Sequence, residues 1–185
     1  MTNAWVALGA WSSGKKLESL AVERGWLPLG PWPWRFQAGK SRGFTTPDGV
    51  EVHCIEQTVL GAWVLFVQAE NDALFQDLVR RLELTTVDEL EKAWSAATEP
   101  AAKIRALLDL AAAQSMNGGT VITAYEAAVR KALDDADPVV RLAAIRSLAI
   151  APMSLGKTVL EGRDDPDNPK IHDWYALFAN ASAQE

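Results

Sequence analysis

The 185-residue sequence is short of the side chains that build most metal and nucleophile sites: it has one cysteine, Cys54, and two histidines, His53 and His172. A single thiol cannot close a disulfide within the chain, so no oxidising compartment is implied. A zinc site would need carboxylates to complete it, and no ligand spacing supports one. Basic residues never cluster beyond Lys15-Lys16 or Arg80-Arg81, and 18 Lys and Arg face 24 Asp and Glu. Phosphate neutralisation normally requires a basic face, so nucleic acid is not an expected partner. No apolar run approaches the ~18 residues of a spanning helix. The stretch from Met1 to Trp11 has no basic segment ahead of its apolar residues, unlike a secretory leader. A cytoplasmic protein without a membrane partner is the expectation.

What is present divides the chain in two. Six of the eight tryptophans and eight of the twelve glycines precede residue 90, whereas 22 of the 30 alanines follow it. That shift places a boundary at Thr85-Thr86. Residues 1–85 read as a small α/β domain in the order β-α-β-β-β-α. Strands are expected over Asn3–Ala10 and Ala62–Ala69. A hairpin should join Arg42–Thr46 to Val50–Gln57 around the turn Pro47-Asp48-Gly49. Helices are expected over Gly14–Arg24 and after Asn71, where Leu74, Leu78 and Leu82 share a stripe with Phe75 and Val79. Residues 86–185 show no strand signal. Helices are expected near 87–97, 100–113, 120–133, 138–149, 153–161 and 169–181.

Three of these helices open on a capping residue followed by proline: Glu99-Pro100, Asp137-Pro138 and Asn168-Pro169. Proline suits the first helical turn, where its missing N–H would be unpaired anyway. Acidic turns recur before two of them, as Asp134-Asp135-Ala136-Asp137 and Asp164-Asp165-Pro166-Asp167. The segment from Ala132 to Leu148, with Asp134-Asp135, Asp137-Pro138 and Val140-Arg141, resembles a HEAT repeat of the armadillo-type α-solenoids. The resemblance implies a stack of three helix pairs and a habit of binding other proteins, and it brings no catalytic residues. The expected fold is therefore α+β: a small N-terminal antiparallel sheet with two helices, followed over 86–185 by an all-α HEAT-like repeat stack.

Several segments invite chemistry. Gly9-Ala10-Trp11-Ser12-Ser13-Gly14-Lys15-Lys16 has the G-x-x-x-x-G-K core of a phosphate-binding loop, but Lys16 stands where Ser or Thr should meet Mg²⁺. A helix start is the simpler reading, with a small anion at Gly14-Lys15 or a nucleotide-binding enzyme as alternatives. His53 and Cys54 are strand neighbours and point apart, so they cannot act as base and nucleophile. The acidic turns lack the continuation of a calcium loop, and capping accounts for them. Trp32, Trp34 and Arg35 form a stiff Pro-Trp segment of the composition that dominates interface hot spots, and Arg146 should face solvent. These four are the candidate partner-binding residues. The expectation is a non-enzymatic interaction protein with no cofactor and no metal, its partner another protein. An immunity or antitoxin role, with acidic charge neutralising a basic toxin, is a second version of it.

Overall fold

The computed structural model describes residues 6–9, 12–30, 40–57, 62–68, 71–115, 120–163 and 172–173. Two compact units divide at Glu89–Leu90. The first is built on six strands: β1 (Val6–Gly9), β2 (Leu27–Pro28), β3 (Ser41–Thr45), β4 (Glu51–Gln57), β5 (Ala62–Val67) and β6 (Thr85–Thr86). They lie in the order β2-β3-β4-β5-β1-β6, and every pairing is antiparallel. The β3–β4 hairpin turns where its sequence says it should. Gly49 takes the positive φ of 80° that a Cβ would resist, and the Thr46 hydroxyl accepts the Val50 N–H at 3.0 Å.

Helices α1 (Ser13–Glu23) and α2 (Asp72–Leu82) belong to this unit. Their apolar stripes, Leu17, Leu20 and Ala21 on α1 and Phe75, Leu78 and Leu82 on α2, share one core with Ala7, Val52, Cys54, Leu65 and Val67 of the sheet. Alternate residues of the same strands, Val6, Ile55 and Val64, are also buried. This two-sided burial explains the unbroken apolar run of β5, since a strand covered on both faces has no polar side to alternate with. Asn71 caps α2, its Oδ1 accepting the Leu74 N–H at 3.0 Å. Gly14 lets α1 approach the sheet, because a Cβ there would sit 2.8 Å from the Trp63 ring.

The remaining helices are α3 (Val87–Ala96), α4 (Pro100–Ser115), α5 (Thr123–Leu133), α6 (Pro138–Ser147) and α7 (Met153–Leu160), with a 3₁₀ turn at Leu148–Ile150. In the second unit α4, α5 and α6 pack on one another. Alanines at Ala111, Ala112, Ala128, Ala132 and Ala144 are fully buried, which allows the axes to come close. Tyr125 and Ser147 join α5 to α6 through a buried hydroxyl pair at 2.9 Å. Gln114 holds the α4–α5 connection, donating to Thr120 O at 3.0 Å and accepting from Ile122 N–H at 2.6 Å.

Two parts of the expected fold are corrected. The sheet is not the small four-stranded one, because Leu27–Pro28 and Thr85–Thr86 extend it at opposite edges. Strands of two residues have no period to detect. Nor is the rest an all-α HEAT-like repeat stack of three pairs. The described residues form one cluster of α4, α5 and α6, followed by the 3₁₀ turn and the eight-residue α7. Asn168-Pro169, on which the third pair depended, lies outside the described residues. The reason is local: α6 tightens into the 3₁₀ turn, Ala151 is extended, and Pro152 restarts the chain for only two turns.

Candidate functional site

The expected sites fare differently. Trp32, Trp34 and Arg35 lie outside the described residues, and Arg146 is exposed on α6. Within the glycine-rich segment, Ala10 and Trp11 lie outside the described residues. Gly9 ends β1, and Ser12 stands at the N-cap position of α1 without a side-chain hydrogen bond. Lys16 is ion-paired with Glu83. The Ser13 hydroxyl is buried without a partner, and it is closed in by Gly9 rather than open to a ligand.

His53 and Cys54 are both buried and lie on opposite faces of β4. His53 Nε2 sits 3.0 Å from Glu51 Oε2. Burial lowers the His53 pKa, and the neighbouring Glu51 opposes that shift. Burial pushes the Cys54 thiol up to about 12, despite the nearby Arg42, so it stays protonated and unreactive at neutral pH. Among the described residues, no group of three His, Cys, Asp or Glu could hold a metal. No described helix is long and apolar enough to cross a membrane.

The acidic turn before α6 is structural. Asp137 caps the helix, accepting the Val139 N–H at 2.7 Å. Lys103 reaches Asp135 at 2.6 Å and Arg163 reaches Asp134 at 2.5 Å. Arg141 donates to the carbonyls of Asp135 and Ala136 at 2.9 and 3.1 Å, and its charge helps hold the Asp135 carboxyl down.

A recessed surface that the sequence did not announce lies on the first unit. A cleft of ≈ 390 Å³ opens between the C-terminal half of α1 and the β2–β3 edge. Val22, Trp26, Pro28, Leu29 and Phe44 give it apolar walls, and Glu18, Ser41 and Arg42 supply the polar ones. Its size falls within the range of ordinary ligand and side-chain pockets. Glu18 and Arg42 are ion-paired to each other. One of the three large apolar side chains exposed among the described residues lines it: Val22, 81% exposed, across from the exposed Pro28, while Leu27 turns to the other face of the sheet. The third, Val139, lies on α6.

The cleft adjoins a cluster of arginines. Arg24, at the C-terminus of α1, lies over the Trp26 ring with its guanidinium carbon 5.7 Å from the ring centroid. Arg24 also reaches Asp77 of α2 at 2.5 Å, and Arg80 and Arg81 bind the same carboxylate at 2.9 and 3.2 Å. Burial would raise the Asp77 pKa, but these hydrogen bonds outweigh it and hold the carboxyl down at about 2. Three guanidinium groups thus share one carboxylate, leaving a local surplus of two positive charges on a chain of net charge −6. Arg80 and Arg81 follow Asp77 at helical spacing and could be paired on paper. Arg24 is 53 residues away in sequence, and only the packing of α1 beside α2 brings it in.

Comparison of the chain with protein-family models, with curated proteins and with solved structures returns no match in any of the three, so what the surface does must be argued from its own chemistry.

Proposed function

We propose that this chain is a non-enzymatic protein-interaction module and that the cleft between α1 and the β2–β3 edge is where it meets its partner. The observation that supports this reading is the pair Val22 and Pro28, both exposed to water and lining a cleft walled by Trp26 and Phe44. Single exposed apolar residues are ordinary, but a grouped pair beside an aromatic-walled recess is the usual form of a binding surface. The charged groups of the cleft, Glu18 and Arg42, neutralise each other, which suits recognition better than proton transfer. A cytoplasmic setting, suggested by the lone thiol Cys54, belongs to the same proposal.

The test is a photo-crosslinking amino acid placed at position 22 of the full chain in its native cells, with position 139 as the control. A discrete protein adduct at 22 that disappears in Pro28→Asp is expected. An adduct at 139 alone would move the interaction to the other unit, and no adduct at either site would overturn the reading.

A further inference from the structure

We infer that the partner of this surface is an acidic protein segment that seats an apolar side chain in the cleft and lays carboxylates across Arg24, Arg80 and Arg81. This rests on the proposed interaction role and names the chemistry of the partner. The carrying observation is continuity. Trp26 lines the cleft, Arg24 covers Trp26, and Arg24 meets Asp77 beside Arg80 and Arg81. Apolar recess and basic patch are therefore one surface, joined by a cation–aromatic contact.

The charge count sets the sign of the partner. Asp77 satisfies one N–H direction on each arginine, and a guanidinium has five donors. The side chains of Arg80 and Arg81 are 79% and 47% exposed, so donors remain turned to water. On an acidic chain this is a local reversal of potential, and such patches orient an oppositely charged partner during encounter. Asp77 also fixes the arginine side chains in advance, which lowers the ordering cost of binding. A basic toxin, the partner that net charge alone would suggest, is repelled at this place. A nucleic acid would find the patch but also the surrounding net negative charge.

The experiment uses the full chain and three synthetic peptides with a shared Leu-Phe centre: Glu-Asp-Leu-Phe-Glu-Asp, its Gln/Asn analogue and its Lys analogue, all capped at both ends. Binding is measured by titration calorimetry at low salt and again at about 300 mM salt. The acidic peptide should bind roughly tenfold more tightly than the neutral one, lose that advantage at high salt, and lose it in Arg80→Ala/Arg81→Ala. The Lys peptide should bind most weakly. Unchanged thermal unfolding of the double variant would show that it remains folded, and the salt dependence of the wild-type chain stands without it.

Equal affinity for acidic and neutral peptides, with binding lost in Val22→Asp, would overturn the acidic partner while leaving the cleft as an interaction site. Failure of all three peptides would overturn the inference and leave the crosslinking result to decide the interaction role. Tighter binding of a single-stranded oligonucleotide than of the acidic peptide would also overturn the inference.

Discussion

Asp77 shows how much one carboxylate can organise. Its three arginines come from two helices, and its pKa of about 2 lies below the ordinary 3.8. A carboxyl depressed on folding adds stability that is complete above its unfolded pKa and is lost as the pH falls through the folded one. That contribution is of order 1–2 kcal/mol for a group still partly exposed. Urea midpoints taken between about pH 5 and pH 2 should therefore fall more steeply for the wild-type chain than for Asp77→Asn. Parallel curves would deny the cluster that role. Glu83, the C-cap of α2, takes a left-handed φ of 55°. Conformations of this kind cost a side chain about 1 kcal/mol or more. Glu83→Gly removes that strain but also the ion pair with Lys16, an exposed contact worth little. Unchanged or slightly raised thermal stability is expected, and a drop of several degrees would show that the Lys16 contact outweighs the strain.

At the level of the elements, the sequence was read best where length and chemistry agree. The stripe of Leu74, Leu78 and Leu82 and the cap at Asn71 placed α2, and Pro47-Asp48-Gly49 placed the β3–β4 turn. The proline-led helices α4 and α6 start where Pro100 and Pro138 set them. What escaped was whatever pairing alone creates. Leu27–Pro28 and Thr85–Thr86 become strands only because β3 and β1 lie beside them. The cleft escaped for the same reason, since its walls come from α1, β3 and the residues around β2. Val22, an apolar residue ahead of the charged pair Glu23-Arg24 near the end of α1, was one local sign. The helical repeat does not continue past one cluster: the Asp137 cap and the buried alanines serve the packing of α4, α5 and α6. Two substitutions probe this cluster. Asp137→Ala should cost about 1 kcal/mol by loss of the cap to Val139. Gln114→Leu should cost more, about 1–3 kcal/mol, because it strands the buried Ile122 N–H. Chemical denaturation that ranks them in the opposite order would contradict the assigned roles.

For the molecule as a whole, the solitary thiol is a built-in probe. Cys54 is 1% exposed and lies in the core shared by the sheet, α1 and α2. A disulfide-exchange reagent should leave the native chain unlabelled and modify one thiol per chain once urea opens the first unit. Rapid labelling without denaturant would mean that this core opens readily. The outer border of the same sheet has a consequence of its own. Just past β2, Leu29 N–H bonds to Gly43 O, and within β2 Leu27 stands opposite Thr45. By the alternation of an antiparallel ladder, the residue between them turns its nitrogen away from the sheet. That residue is Pro28, which has no hydrogen to offer. A stray strand approaching this side meets a missing donor at its first contact, so growth of the sheet from chain to chain is blocked at the start.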